Sequence, residues 1–146
     1  MADRTRTGRR CDVTKRVLIV DDKPIVVTVL RAFFVAFRHG HAYEVTSVYS
    51  VAHADDILLR ERFDLILLDL VVPQIGDRLP WTQGLDLLKR VRARGVTTPV
   101  LIMSGAWGTQ KEAEALREGA VECLRKPFEL LELDRVVARV LEPASG

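Results

Sequence analysis

A short run of apolar residues that ends in an aspartate constrains the fold of this chain more than any other stretch. The run Leu65–Leu68 contains no turn former, and Asp69 follows it directly. Continuous apolar runs of this length are typical of strands buried on both faces, and such strands occur in parallel sheets covered by helices. Ligands of open α/β sheets bind at the carboxyl ends of the strands. Asp69 is therefore a candidate functional residue, although an isolated aspartate at a strand end more often only caps a turn.

Strand-like and helix-like segments alternate along the rest of the chain. Further β-branched or apolar runs lie at 16–20, 43–48, 99–103 and 121–124, and each is followed by a segment with helical periodicity. Alternation of this kind predicts an α/β fold with parallel strands joined by right-handed crossovers.

The length and composition indicate one globular domain. The chain has 146 residues, and Lys and Arg exceed Asp and Glu by two. The local excess lies in an arm at 1–15, which is predicted to be solvated, with nucleic-acid contact as the less favoured alternative. The folded domain is predicted over 16–142, and 143–146 form a C-terminal stub. Two cysteines and the absence of a signal-like or membrane-spanning run predict a cytoplasmic protein without membrane contact.

Polar residues follow four of the predicted strands. Asp21 and Asp22 follow the first, Asp69 the third, Ser104 the fourth and Lys126 the fifth. If the first and third strands are neighbours, three carboxylates meet at one edge of the sheet, and their charges repel one another at neutral pH. A hard divalent cation such as Mg²⁺ would neutralise them, with the lysine ammonium opposite. A metal, an ammonium, a hydroxyl and a carboxylate nucleophile together suit a phosphoryl group.

These strand ends resemble those of the receiver domain of bacterial response regulators, the phosphoacceptor half of two-component signalling. The resemblance covers roughly Val17 to Leu141. The residues that carry it are Asp21-Asp22, Asp69 with Pro73 four residues on, Ser104-Gly105-Ala106 and Lys126-Pro127-Phe128. It implies a flavodoxin-like, doubly wound (βα)5 fold with a five-stranded parallel sheet of order 2-1-3-4-5.

The resemblance also implies a role for each acidic residue. Asp69 would accept a phosphoryl group from a histidine kinase or a histidine phosphotransfer protein. Mg²⁺ would be held by Asp21, Asp22, Asp69 and the backbone carbonyl of Val71.

The remaining site residues follow from the same resemblance. Lys126 would pair with phosphoryl oxygens, next to a cis peptide before Pro127. Ser104 would turn inward to bind the phosphoryl group, and this motion would alter a partner-binding surface formed by the fourth helix, fifth strand and fifth helix. The same surface is a candidate homodimer interface.

Two features depart from the family pattern. Cys123 occupies the switch position, where the family has an aromatic residue three positions before the lysine, and an inert buried thiol is favoured over a redox role. The connection Pro73–Gly84 is longer than the usual turn. A partner contact, a cover for the pocket and a neutral insertion are all open interpretations.

The segment before the fifth strand predicts a weakly held helix. Thr109 and Glu112 have the spacing of a capping box, in which the glutamate would bond back to the start of the helix. The predicted inward face has only Ala113, Leu116 and Ala120. A helix with so little apolar surface is a candidate for the part that moves.

The leading hypothesis is a phosphoreceiver with no attached output domain, and not an enzyme beyond self-catalysed phosphoryl transfer and autodephosphorylation. The alternative is a receiver-like scaffold that binds proteins regardless of phosphorylation. A Mg²⁺-dependent phosphohydrolase and a flavin-binding protein of the same topology are weaker. Phosphohydrolases commonly place two acids two residues apart after the first strand, and no phosphate-cradling loop follows that strand here.

Overall fold

The computed structural model describes residues 14–70, 83–105 and 109–141, with the side chains at 83 and 109–111 not described. Residues 1–13 of the predicted arm, Val71, positions 73–82 of the long connection, and the stub lie outside the described residues. Within the described ranges, no helix is both long enough and apolar enough to cross a membrane.

Five strands and five helices alternate along the described chain, and all strand pairs are parallel. The sheet order is β2-β1-β3-β4-β5, which confirms the predicted fold class. The elements are β1 (Thr14–Val20), α1 (Pro24–Ala36), β2 (Ala42–Val48), α2 (Val51–Arg60), β3 (Leu65–Asp69), α3 (Gln83–Ala93), β4 (Val100–Ser104), α4 (Thr109–Arg117), β5 (Glu122–Arg125) and α5 (Leu130–Leu141).

The register of the central strands decides which residues meet at the sheet edge. Val20 at the end of β1 pairs with Leu68 in β3. The next residue of each strand segment is an aspartate, Asp21 and Asp69, so the two carboxylates start from neighbouring backbone positions. β1 begins two residues before the predicted start at Arg16, because its pairing with β2 already starts at Thr14.

Side chains of the central strands alternate between two apolar layers. Ile66 and Leu68 face the layer that includes residues of α2 and α3, whereas Leu65 and Leu67 face the layer that includes residues of α1 and α5. These four side chains are at most 1 % exposed. The core therefore fixes β3, and with it Asp69, from both sides.

Three helix boundaries have clear signals in the sequence, whereas α3 begins at Gln83, inside the connection predicted at 73–84. Pro24 occupies the first turn of α1. The Ser50 hydroxyl accepts the backbone N–H of His53 at 3.1 Å at the start of α2. Gly95, with φ of +86°, follows the end of α3.

The inward face of α4 differs from the prediction. Ala115 is fully buried, whereas Ala113 is exposed and Leu116 is 46 % exposed. Ala120, just after the helix, is buried as predicted. The prediction for Ala113 and Leu116 is wrong because α4 turns Ala115 and the partly buried Glu112, three residues apart on one side of the helix, toward the sheet.

One basic side chain of α3, Arg92, is partly buried and binds backbone carbonyls beyond its own helix. Arg92 donates to the backbone carbonyls of Val96 and Thr98 at 2.9 Å and to that of Gly119 at 3.0 Å. A guanidinium offers five N–H donors, so one side chain can satisfy carbonyls from two separate turns. Arg92 thereby ties the end of α3 to the end of α4.

Candidate functional site

Three carboxylates gather at the carboxyl ends of β1 and β3. Oxygens of Asp21, Asp22 and Asp69 all lie within 4.8 Å of one another. Asp21 is fully buried and Asp69 is 2 % exposed, while Asp22 is partly exposed. The register described above produces this cluster, and the predicted meeting of the acids is present.

Asp21 is the most constrained of the three carboxylates. Its Oδ1 accepts the backbone N–H of Lys23 at 2.9 Å, and its Oδ2 lies 3.2 Å from the Lys126 ammonium. Burial raises the pKa of Asp21, and the negative charge of Asp69 raises it further, while the bonds to Lys23 and Lys126 oppose this shift. The folded protein therefore disfavours the charged form of this side chain.

Lys126 lies between the two buried carboxylates. Its Nζ is 2.9 Å from Oδ2 of Asp69 and 3.2 Å from Oδ2 of Asp21. The residue follows β5 directly, and the Lys126–Pro127 peptide is cis, as the family resemblance implied. One ammonium thus compensates two negative charges that come from different strands.

Sequence reasoning missed a second lysine in the pocket. Lys23 Nζ lies 3.4 Å from Oδ2 of Asp69 and 3.3 Å from Oδ1 of Asp22. Burial acts to lower the pKa of Lys23, but the charges of Asp69 and Asp21 outweigh it, and the pKa is raised. The only signal in the sequence was its position directly after the acid pair.

The donor set fits a hard divalent cation. Asp21, Asp22 and Asp69 offer carboxylate oxygens from two segments of chain, and Mg²⁺ prefers such oxygen ligands. Val71, whose carbonyl was predicted to be a further ligand, lies outside the described residues. The ammonium groups of Lys23 and Lys126 lie within hydrogen-bond distance of these carboxylates, as expected of a site that binds positive charge.

A glycine lies directly against the end of β3. The Gly84 N–H donates to the carbonyl of Leu70 at 3.3 Å. A Cβ atom at this position would lie 2.5 Å from the carbonyl oxygen of Asp69 and 2.9 Å from the Cα of Leu70. Only glycine lets the start of α3 approach the backbone of the candidate phosphoacceptor this closely.

Ser104 is at the end of β4, where it was predicted, but its hydroxyl has an unpredicted partner. Ser104 is 1 % exposed, and its Oγ–H donates to Oε2 of Glu112 in α4. Oε1 of the same carboxylate accepts from Arg125 at 3.2 Å. The capping-box spacing of Glu112 therefore indicated the wrong partner for its side chain.

Cys123, at the predicted switch position, is half-buried. Its thiol contacts the backbone carbonyl of Glu112, with Sγ and O 3.6 Å apart, and packs against the α2–α3 layer of the core. Burial raises the pKa of the Cys123 thiol to about 11, and the charges of Glu112 and Glu122 add to this shift. A thiol that resists ionisation is a poor nucleophile, which agrees with the predicted inert role.

Curated proteins similar to this chain include a response regulator and a transcriptional activator. Response regulator protein PilR of Pseudomonas aeruginosa is 32% identical over 127 residues, which are 87% of this chain and 26% of PilR. Transcriptional activator protein PfeR of the same species is 37% identical over 119 residues, which are 82% of this chain and 35% of PfeR. The chain spans about a quarter to a third of the length of these two relatives.

Solved structures similar to this chain include a receiver domain and a putative response regulator. The receiver domain of a sensor histidine kinase from Pseudomonas aeruginosa, which has a magnesium ion coordinated in its active site cleft, is 30% identical with a TM-score of 0.71. The match covers 88% of this chain and 98% of that one. A putative response regulator from Chloroflexus aurantiacus is 28% identical with a TM-score of 0.74, over 88% of this chain and 98% of that one.

The family comparison covers most of the folded region. The model of the response regulator receiver domain matches residues 17–138. The matched range contains the acid cluster, Lys126 and Ser104. This chain therefore belongs to the response regulator receiver domain family of two-component systems.

Proposed function

We propose that this chain is phosphorylated on Asp69 by the phosphohistidine of a histidine kinase or a histidine phosphotransfer protein. The observation that carries the proposal is the position of the Asp69 carboxylate. It is almost fully buried, 2.9 Å from the Lys126 ammonium, and grouped with two further carboxylates. Receiver domains as a family are phosphoacceptors, and this grouping supplies the parts that such a reaction needs.

The proposed reaction transfers the phosphoryl group from nitrogen to oxygen. A carboxylate oxygen of Asp69 attacks phosphorus, the O–P bond forms, and the P–N bond of the donor breaks as its imidazole leaves and takes up a proton. The Lys126 ammonium, already within hydrogen-bond distance of Asp69, stabilises negative charge on the phosphoryl oxygens. Mg²⁺ bound by Asp21, Asp22 and Asp69 would supply the additional positive charge that an incoming phosphoryl group requires.

Ser104 would be the residue whose hydrogen bond changes when Asp69 is phosphorylated. Its hydroxyl would leave Glu112 and donate to a phosphoryl oxygen, so that the end of β4 and the segment after it follow the new bond. The surface of α4, β5 and α5 would then change for partner proteins. A homodimer through the same face stays a prediction.

The experiment is incubation with phosphoramidate, a small donor with a P–N bond, in the presence of Mg²⁺, followed by intact-protein mass spectrometry. The parent chain should gain one phosphate, and Asp69→Asn should gain none. Asp56→Asn is the matched control, because Asp56 is an exposed carboxylate of α2 paired only with Arg60 among the described contacts. It should gain phosphate as the parent does.

Chelation by EDTA should abolish the mass gain of the parent. Phosphate on the Asp69→Asn chain, or no phosphate on the parent at any donor concentration, would contradict the proposal.

A scaffold that ignores phosphorylation is the second candidate. It is favoured by Cys123, since a small thiol cannot swing between buried and exposed positions with the effect of an aromatic side chain. Titration with beryllofluoride and Mg²⁺, followed by intrinsic tryptophan fluorescence, separates the two candidates. A saturable change supports the phosphoreceiver, and the absence of any change supports the scaffold.

A further inference from the structure

We infer that Glu112 is a positioning residue that retains the Ser104 hydroxyl outside the phosphoryl pocket and so connects that pocket to α4. The inference rests on the proposed function, because it concerns the bond that Ser104 must break before it can bind a phosphoryl group. It assigns to one glutamate the coupling that the family resemblance would assign to an aromatic residue at position 123.

Glu112 is hydrogen-bonded to one residue of β4 and to two residues of β5. Its Oε2 accepts the hydroxyl of Ser104, its Oε1 accepts the guanidinium of Arg125 at 3.2 Å, and its backbone carbonyl accepts the Cys123 thiol at 3.6 Å. The Glu112 side chain is 13 % exposed and Ser104 is 1 % exposed, so the bond between them is shielded from solvent, whereas the Arg125 side chain is 51 % exposed. One residue in the first turns of α4 thus links two strands.

The bond from Ser104 competes directly with phosphoryl recognition. A serine hydroxyl has a single hydrogen to donate, and here Glu112 accepts it. Hydrogen bonds to a carboxylate are stronger than those between neutral groups, and burial strengthens them further. A phosphoryl oxygen must therefore displace Glu112, and the affinity of the pocket for a phosphoryl group is lowered by the free energy of this exchange.

Breaking this bond affects α4 because, among the described residues, few other side-chain contacts attach the helix to the sheet. Among the side chains described for α4, only Ala115 is buried, and its apolar surface is small. The Nζ of Lys89 in α3 and an oxygen of Glu114 are 3.3 Å apart, and these side chains are 44 % and 32 % exposed. Exposed ion pairs of this kind contribute little. Loss of the Ser104 bond removes one of the few specific attachments of α4.

This arrangement does not need an aromatic side chain at position 123. Cys123 contacts the backbone of Glu112, so it supports the first turns of α4 without changing rotamer. Ser104 and Glu112 connect pocket and helix through one bond that is either made or broken. The pair supplies the two-state element that a switch requires.

The test compares the affinities of Glu112 variants for beryllofluoride in the presence of Mg²⁺. Glu112→Ala should bind the analogue about fivefold to tenfold more tightly than the parent, because no bond has to be broken. Glu112→Gln, which retains an acceptor but no charge, should lie between the two. Glu114→Gln is the matched control on the same helix and should stay within about twofold of the parent.

A double variant distinguishes this role from general damage to the helix. In a Ser104→Ala background, the Glu112→Ala change should leave the affinity unaltered, since the hydroxyl that Glu112 retains is gone. Hydrogen exchange of the α4 amides should be faster in Glu112→Ala than in the parent, and the analogue should accelerate it in the parent.

The outcomes separate this inference from the proposed function. If the parent binds the analogue and Glu112→Ala binds it equally or more weakly, the inference is wrong and the phosphoreceiver stands. A gain of affinity that persists without the Ser104 hydroxyl also overturns it. If no chain responds to the analogue and the parent gains no phosphate, the proposed function fails and the inference fails with it.

Discussion

The carboxylate pocket and the α4 side of the sheet are held together in different ways. In the pocket, Asp21 and Asp69 extend from strands whose apolar residues are fully buried, and two lysine ammoniums compensate their charges. On the other side, the described side chains of α4 include one buried alanine, and the helix is attached through the polar contacts of Glu112.

This difference suits the tasks that we propose for the two regions. A phosphoryl-transfer site needs its nucleophile and its charges at fixed separations, and strand ends anchored in a core on both faces provide that. A switching surface needs two arrangements close in free energy, which a helix with few apolar contacts allows. The proposed phosphoacceptor Asp69 and the proposed switch residue Ser104 thus lie on neighbouring strands.

The largest effect should follow removal of the pocket ammonium. Lys126→Ala leaves Asp21 and Asp69 buried without their nearest positive charge, and we expect the free energy of unfolding to fall by about 3 kcal/mol. Urea denaturation without divalent cations measures this loss. Added Mg²⁺ should restore part of it, since an ion that binds only the folded chain stabilises that chain.

Lys89→Ala is the control for this experiment, because its pair with Glu114 is exposed on the α4 side. It should cost less than about 0.5 kcal/mol. Equal losses for the two variants would show that buried charge does not distinguish the pocket from the α4 side.

Replacement of Asp21 should change the free energy of unfolding less than Lys126→Ala does, and in the opposite direction. Its pKa is raised in the folded protein, so its charged form is disfavoured there, and at neutral pH the ionised side chain lowers stability. Without divalent cations, Asp21→Asn should raise the free energy of unfolding by roughly 1 kcal/mol. The advantage of the variant should shrink as the pH falls through the raised pKa, because the parent then takes up the proton.

Urea denaturation at neutral pH and at a series of lower pH values checks this sign, with Asp56→Asn as the control. Saturating Mg²⁺ should stabilise the parent more than the variant, since the variant has lost a carboxylate ligand. A variant less stable than the parent at neutral pH without metal would contradict the argument.

The sequence predicted the three carboxylates and Lys126 because each of them follows a recognisable strand. The apolar run before Asp69 and the shorter run before Asp21 both end abruptly in acids, and a parallel sheet brings such ends to one edge. The family resemblance then supplied the strand order. Lys23 was missed because whether its flexible side chain reaches back over the acids depends on rotamers, which spacing along the chain does not encode.

The α4 side was predicted poorly because its contacts are polar. A hydrophobic pattern selects Leu116 as an inward residue, since leucine is the largest apolar side chain of the helix. The helix instead turns Glu112 and Ala115 inward, where Glu112 meets a serine and an arginine from other strands. Such long-range pairs have no signature in local spacing, and the capping-box pattern suggested a local partner.

The smallest change in the free energy of unfolding is expected for Leu116, and it tests how α4 is attached. Leu116 is 46 % exposed, so Leu116→Ala removes little buried surface and should change the free energy of unfolding by less than about 0.5 kcal/mol. Leu88→Ala in α3 is the matched control, because Leu88 is 1 % exposed, and it should cost about 3 kcal/mol. Urea denaturation under one set of conditions compares the two. A loss above about 1.5 kcal/mol for Leu116→Ala would mean that α4 packs through its apolar side chains, and the helix would then be too firmly attached for the Ser104–Glu112 bond to control its position.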